Sequence, residues 1–231
     1  MKYVRKHLEK LRAIKRKHYH PLIHKIHKKH KISKKTLFYV KEYGPHTNVS
    51  KTILKESVKI LILASIISSI GGLAIENIKT VFIPLIPLVI LLPVLNSLVG
   101  SYGVIISSHF STLLHEGKIR EKWWKNREIR KLSIQIIIIA FITTLISSSM
   151  ALAISVFSNY NLAISSVSKV FLITILDVMI IVTIILFVSI YAGLYFYKKK
   201  EDPNNFLIPI TTSIADFGNM ALLSVLIILL F

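Results

Sequence analysis

The chain has 231 residues, is 53% hydrophobic and carries a formal charge of +19, a pairing that a soluble domain of ordinary composition does not have. Cysteine is absent, which excludes disulfide, thiol-redox and thiolate-metal chemistry. Charge and apolarity are segregated: 18 of the 30 Lys and Arg lie in residues 1–60, seven in 117–131 and three at Lys198, Lys199 and Lys200.

Residues 1–57 form a basic, His-rich tail. In VRKHLEKLRAIKRK, the residues Val4, Leu8, Leu11 and Ile14 recur at helical spacing, so the tail is expected to be partly an amphipathic helix, broken at Pro21. Such a segment suits anionic lipid headgroups, and a solvated tail that only fixes topology is the plainer reading. Seven of the nine histidines lie here. Spacing places His20, His24 and His27 on one helical face, a geometry able to hold a metal, but no carboxylate is near and the surrounding Lys residues repel cations. A pH-responsive patch or plain solvated histidines fit the same residues.

A membrane span needs about 20 mostly apolar residues. Five segments qualify, at 58–76, 82–114, 133–158, 167–197 and 206–231. The expected fold is therefore all-α, a membrane domain of five transmembrane helices over 58–231. Lys and Arg favour the cytoplasmic face, which places the tail, 117–131 and 198–205 inside and the C-terminus outside. Trp123, Trp124, Tyr191, Tyr195 and Tyr197 fall near the predicted interfaces, where aromatic side chains collect. The basic tail leads into a full span with no cleavage site, so no signal peptide is expected.

The first span carries Ala64, Ser68 and Gly72 four apart, and the third carries Ser147, Ala151 and Ser155 in the same way. Small residues at this spacing let helices approach closely, and packing suffices to explain both. The second segment is too long for one straight crossing, at roughly 50 Å as a helix, and contains Pro84, Pro87, Pro93, Gly100 and Gly103. It must tilt, kink or project. Backbone carbonyls freed by proline are tolerated in a membrane only against protein or a wet path, so Pro93 to Gly103 is a candidate pore wall. Its polar groups are Asn96, Ser97, Ser101 and Tyr102, and a purely structural kink is the alternative.

Two acids lie deep in apolar runs, Asp177 in VFLITILDVMIIVTI and Asp216 in ITTSIADFGNM. Each is about ten residues, or roughly 15 Å, from its end of the span, so both are expected near the midplane. Intramembrane acids are costly and mark ion paths or partnered sites. No Lys, Arg or His is placed to neutralise them unless His109 reaches up, which leaves a cation from solution. A protonated acid bonded to Ser or Thr is the alternative, more readily for Asp177 than for Asp216. Hard divalent cations take oxygen ligands, and Mg2+ keeps several waters while one or two carboxylates hold it. One carboxylate per chain is a poor site, and two from a symmetric dimer are a good one.

PVLNSLVGSYGVIISSHFSTLLHEG, from Pro93 to Gly117, resembles the P-x-L-x-x-x-x-G-N and S-R-L-S-T-A-x-H-x-G segment of the MgtE-type magnesium and divalent-cation transporters, nearest to their eukaryotic solute-carrier and archaeal branch. EDPNNFLIPITTSIADFGNM, from Glu201 to Met220, resembles the D-P-D-N-x-x-x-P-x-x-T-S-x-x-D segment of that family. The resemblance extends over about 58–231. It implies a dimerising five-helix domain with a cation path at the two-fold axis and Mg2+ as principal substrate. Asp216 takes the place of the acid facing the ion, Asp202 that of the acid at the cytoplasmic start of the fifth span, and Pro93 and Gly100 match the second-span motif. Thr212 lies one turn before Asp216, where a backbone carbonyl could face the same ion. Ser101 stands where the motif has Asn, and His109 where it has Arg. No counterpart of the bacterial N-domain and CBS domains is found in the sequence, and a single five-span unit is expected to form a homodimer.

The expectation is thus a non-enzymatic, multi-pass transporter of the cell membrane, with metal contacts at Asp216, Thr212 and Asp202 and a pathway lined by Pro93, Asn96, Ser97, Gly100, Ser101 and Asp177. A Na+-coupled Mg2+ exporter would use Asp177 for the second ion. A membrane-anchored basic interaction protein is a different class of reading and leaves both acids unexplained. No nucleic acid partner is expected.

Overall fold

The computed structural model describes residues 49–117, 126–158, 164–199 and 202–231, with the single residues 28, 29, 31, 119, 123 and 160. The proposed amphipathic helix, Trp124 and the histidine face of the tail lie outside the described residues. Among the described residues six helices follow in order: α1 (Val49–Asn77), the short α2 (Lys79–Phe82), α3 (Ile86–His115), α4 (Arg127–Phe157), α5 (Ile164–Lys198) and α6 (Pro203–Leu230). Five of them, all but α2, are long and apolar enough to cross a membrane.

The helix limits correct the sequence reading at several points. Helix α1 runs unbroken through residue 57, and its membrane-crossing stretch is Ser57–Asn77, next to the expected 58–76. The long second segment does not cross as one piece. It breaks at 83–85, where Pro84 sits in the turn, and α3 starts afresh with Pro87 in its first turn, the position at which proline costs a helix nothing. Helix α3 then continues through Pro93 for 30 residues, about 45 Å. Its end is set by Gly117, whose φ of 69° is the left-handed conformation in which glycine stops helices. At the other end of the loop, Asn126 caps α4 by accepting from the backbone N–H groups of Glu128 and Ile129 at 2.9 and 3.4 Å.

Helix α6 is the hub, packing against α1, α3 and α5, while α4 closes the other side of the bundle against α3 and α5. The main core runs through Leu88, Leu91, Leu95 and Val99 of α3, Ile173, Val178 and Val182 of α5, and Leu223 and Ile227 of α6. A smaller core at the basic end gathers Phe110, Leu113, Ile190, Tyr197 and Leu207. There Trp123 meets Tyr191 edge-on with ring centroids 5.8 Å apart, in keeping with an aromatic belt. Helix α1 stands apart, since its one extensive contact is with α6. Leu54, Val58, Leu61, Ile62, Ile66, Ile70 and Leu73 are all exposed on the isolated chain.

Glycines and small residues set the helix spacing, but not all at the expected positions. Gly72, expected at the α1 contact, faces open space, and it is Gly71 whose added Cβ would come within 2.9 Å of the Phe217 Cα. In α4, Ala151 and Ser155 are buried as expected. At the basic end a Cβ on Gly193 would lie 2.7 Å from the Phe110 ring. Gly193→Ala should therefore cost about 1–3 kcal/mol by overpacking, whereas Gly100→Ala, with nothing within 4 Å, should be neutral or mildly stabilising. Thermal unfolding of both variants in detergent checks this.

Candidate functional site

Helices α3 and α6 run antiparallel along their whole contact, and the pairs that meet mark the register. Ser111 reaches Asp202 at 3.4 Å, Ser108 reaches Asn204 at 3.4 Å, the Ser107 hydroxyl lies 3.1 Å from that of Thr211, and Asn96 meets Asn219. Gly103 allows this approach, because a Cβ there would be 3.0 Å from the Thr211 hydroxyl. The expected wall residues fall along α3 beside this seam. Pro93, Ser97 and Ser101 are exposed, Gly100 and Asn96 are half-buried, and Tyr102 is buried with its hydroxyl on Thr143. Ser101 donates to the Ser97 carbonyl at 2.7 Å. Pro93 has no N–H for the Val89 carbonyl and Pro209 none for that of Asn205, so each helix has one carbonyl without its usual donor.

Asp216 lies on α6 about 18 Å from Asn204, half-buried. The sequence reading leaves it to a cation from solution, with a Ser or Thr hydroxyl as the alternative, and the structure supplies a hydroxyl: that of Ser68 on α1 donates to Asp216 Oδ2 at 3.2 Å. Gly71, one turn further along α1, makes the approach possible. The hydroxyls that precede Asp216 in sequence do not reach it. Thr212 donates to the carbonyls of Ile208 and Pro209 at 2.9 and 3.1 Å, and Ser213 to that of Ile210 at 3.0 Å. His109 is exposed on α3, and the adjacent Ser108–Asn204 contact places that turn at the start of α6, about 18 Å from the level of Asp216. It cannot serve as the partner that the sequence reading considers.

Asp177 is differently placed. It is fully buried on α5, behind the seam rather than on its exposed side, and its neighbour is the carboxamide of Asn219. Because Asn219 is one turn from Asp216, the two acids share a depth. Among the described residues no Ser or Thr hydroxyl bonds to Asp177. Thr174, one turn before it on α5, bonds instead to Ser148 at 2.8 Å.

Asp202 caps α6, accepting from the Asn204 N–H at 3.0 Å, and the same oxygen takes Ser111 at 3.4 Å and His115 Nε2 at 3.3 Å. The His115 ring also lies edge-on to Tyr197 at 5.8 Å. This acid ties the basic ends of α3 and α6 together. Among the described residues no group of three or more His, Asp or Glu side chains comes together.

Residues 92–226, more than half of the chain, match the family described as MgtE, divalent cation transporter. The chain belongs to this family. It is a multi-pass membrane protein of a transporter family, not an enzyme. It is also 27% identical over 191 residues to solute carrier family 41 member 2 of Gallus gallus. That alignment covers 76% of this chain and 32% of the relative, so the chain spans about a third of the relative's length. No solved structure matches the chain. The matched MgtE segment contains α4 and α5 whole, α3 from residue 92, and α6 through residue 226, and with them Asp177, Asp202 and Asp216.

Ser68, Asn219, Ser111 and His115 are site neighbours that sequence reasoning missed. Asn219 had a signal, being a carboxamide three residues after Asp216 in an apolar run. Ser68 had none beyond its small size. Asp202→Ala should remove the cap, worth about 1 kcal/mol, and take away the carboxylate oxygen that Ser111 and His115 share. Its loss of stability should exceed that of Ser111→Ala when both are unfolded in detergent.

Proposed function

We propose that two copies of this MgtE domain pair with their α3–α6 seams facing, and that a partly hydrated divalent cation, Mg2+ first among them, passes between the two Asp216 carboxylates. The observation that carries this reading is an acid at mid-span that is still half-exposed, beside a row of exposed small polar residues on α3. An acid so placed is expensive against lipid and suits a wet path. Two such carboxylates, with water completing the shell, match the preference of Mg2+ for few protein ligands and retained waters.

In this reading Pro93, Ser97, Gly100 and Ser101 line the path and the Thr212 hydroxyl oxygen borders it. Asn96 stands at its edge and Asp177 behind it. Asp202 holds the mouth in shape through its cap. The basic loops face the cytoplasm, the membrane is the cell membrane, and the tail lies along anionic lipid. The family match falls on the helices and not on the tail, which favours transport over a tail-centred interaction role.

Asp216→Ala should reduce Mg2+ flux into proteoliposomes to the background of empty vesicles while cross-linking still detects the dimer. Ser68→Ala should keep flux but change its dependence on Mg2+ concentration, because Asp216 loses its one hydroxyl donor from α1. Undiminished flux in Asp216→Ala would sink the reading.

A further inference from the structure

Asp177 has no place in the path just described, yet it is fully buried and its Oδ1 has no hydrogen-bond partner among the described residues. Its Oδ2 meets the Asn219 carboxamide, which in turn meets the Asn96 carboxamide. Asn96 is half-buried and immediately precedes the exposed Ser97. Three polar groups from α5, α6 and α3 thus form a row leading from the core to the wall of the path. Its helical neighbours Ile173, Val178 and Ile181 are buried and apolar, so a divalent ion would lack the six or so oxygens it needs.

The row can be satisfied in two ways, and the choice depends on one proton. With Asp177 ionised, Asn219 Nδ2 donates to Asp177 Oδ2, and Asn219 Oδ1, 3.2 Å from the Asn96 backbone nitrogen, faces Asn96 as an acceptor. The Asn96 side chain then turns its nitrogen inward and its oxygen away. With Asp177 protonated, its O–H donates to Asn219 Oδ1, and Asn219 Nδ2 donates to Asn96 Oδ1. Asn96 then turns its nitrogen away from the core. A carboxamide has one acceptor end and one donor end, so reversing one amide reverses the next.

We propose that Asp177 is a proton-binding site, linked through Asn219 and Asn96 to the wall of the ion path, so that a bound proton opposes cation passage. An ionised Asp177 presents the Asn96 oxygen, a ligand for a hydrated cation, and a protonated one presents an N–H donor that repels it. The proton comes from water, binds Oδ2 and returns to water when the site empties. No other titratable group competes in direct contact with Asp177 among the described residues. From α3 the facing group is Asn96, and Tyr102 is occupied with Thr143. From α6 it is Asn219, with Asp216 one turn away and bonded to Ser68. From α4, Ser148 is bonded to Thr174. On α5 itself Lys169 lies two turns away, 4.8 Å from the centroid of the Phe231 ring.

The test uses the full chain in proteoliposomes and rests on the transport reading for one arm only. In that arm Mg2+ flux is measured from about pH 5 to about pH 8. Wild-type flux should fall on acidification by up to about tenfold per pH unit, the slope set by a single bound proton. The ratio of flux at the two ends should collapse towards one in Asp177→Asn and in Asn96→Leu. In the other arm, infrared difference spectra between the two pH values should show the C=O stretch of a protonated carboxyl that Asp177→Asn removes and Asn96→Leu retains. This arm reports on the proton site even if no variant carries flux, so failure of the transport reading is told apart from failure of this one. Absence of an Asp177 band overturns the site. A flat wild-type flux profile, or an unchanged pH ratio in either variant, overturns its link to the path.

Discussion

Helix α6 must come close to three other spans at once, and the structure depends on how that is done. In a bilayer there is no hydrophobic gain from pressing two apolar helices together, so association relies on contact distance and on hydrogen bonds between helices. Gly71 lets α1 reach the α6 backbone, Gly103 lets α3 reach Thr211, and Gly218 of α6 itself leaves room for the Ile181 side chain of α5. At each approach a polar contact lies within about a turn: Ser68 with Asp216, Ser107 with Thr211, and Asn219 with Asp177. Close packing and polar pairing come as one arrangement, because hydroxyl and amide side chains are too short to meet across a wide gap.

The same helix gives its two acidic neighbours opposite surroundings. Asp216 and Asn219 are three residues apart and therefore on adjoining faces of α6. One face looks past α1 and remains partly open, and the other is sealed against α5 and α3. An acid on the open face can exchange its partner for a hydrated ion at little structural cost, since Ser68 gives one bond from a helix held chiefly by α6. An acid on the sealed face has no such freedom, and only a change within its own row of amides can alter it. The depth is shared, but the chemistry available to each acid is not.

Much of the fold was legible because the relevant signals are periodic or compositional. Five apolar runs, basic loops and Pro/Gly punctuation brought α3 to α6 to within a few residues of their true ends, apart from the first turns of α4, where the basic Arg127 to Lys131 stretch read as loop. The break at 83–85 was missed because hydropathy does not fall across Pro84 and Leu85, although Pro87 in a first turn was a usable mark. Asp216 and Asp177 stood out through charge alone. What could not be read was which hydroxyl or amide meets them, since Ser68 is 148 residues from Asp216 and Gly71 and Gly72 are indistinguishable until the helix phase is known.

Helix phase also explains why Asp202 proved more than a charge at the mouth. Its place directly before Pro203 is that of a cap, a local signal, but the donors Ser111 and His115 come from the last turn of α3. That last turn is fixed in place by Gly117, where only a left-handed residue ends the helix cleanly. A stop one turn earlier would remove His115 and leave Ser111 at the fraying end, and a later one would carry the chain past α6. The length of α3, the cap of α6 and the antiparallel register between them are therefore one constraint. Through that register Asn96 meets Asn219, and Ser97 and Ser101 fall beside the half of α6 that bears Asp216.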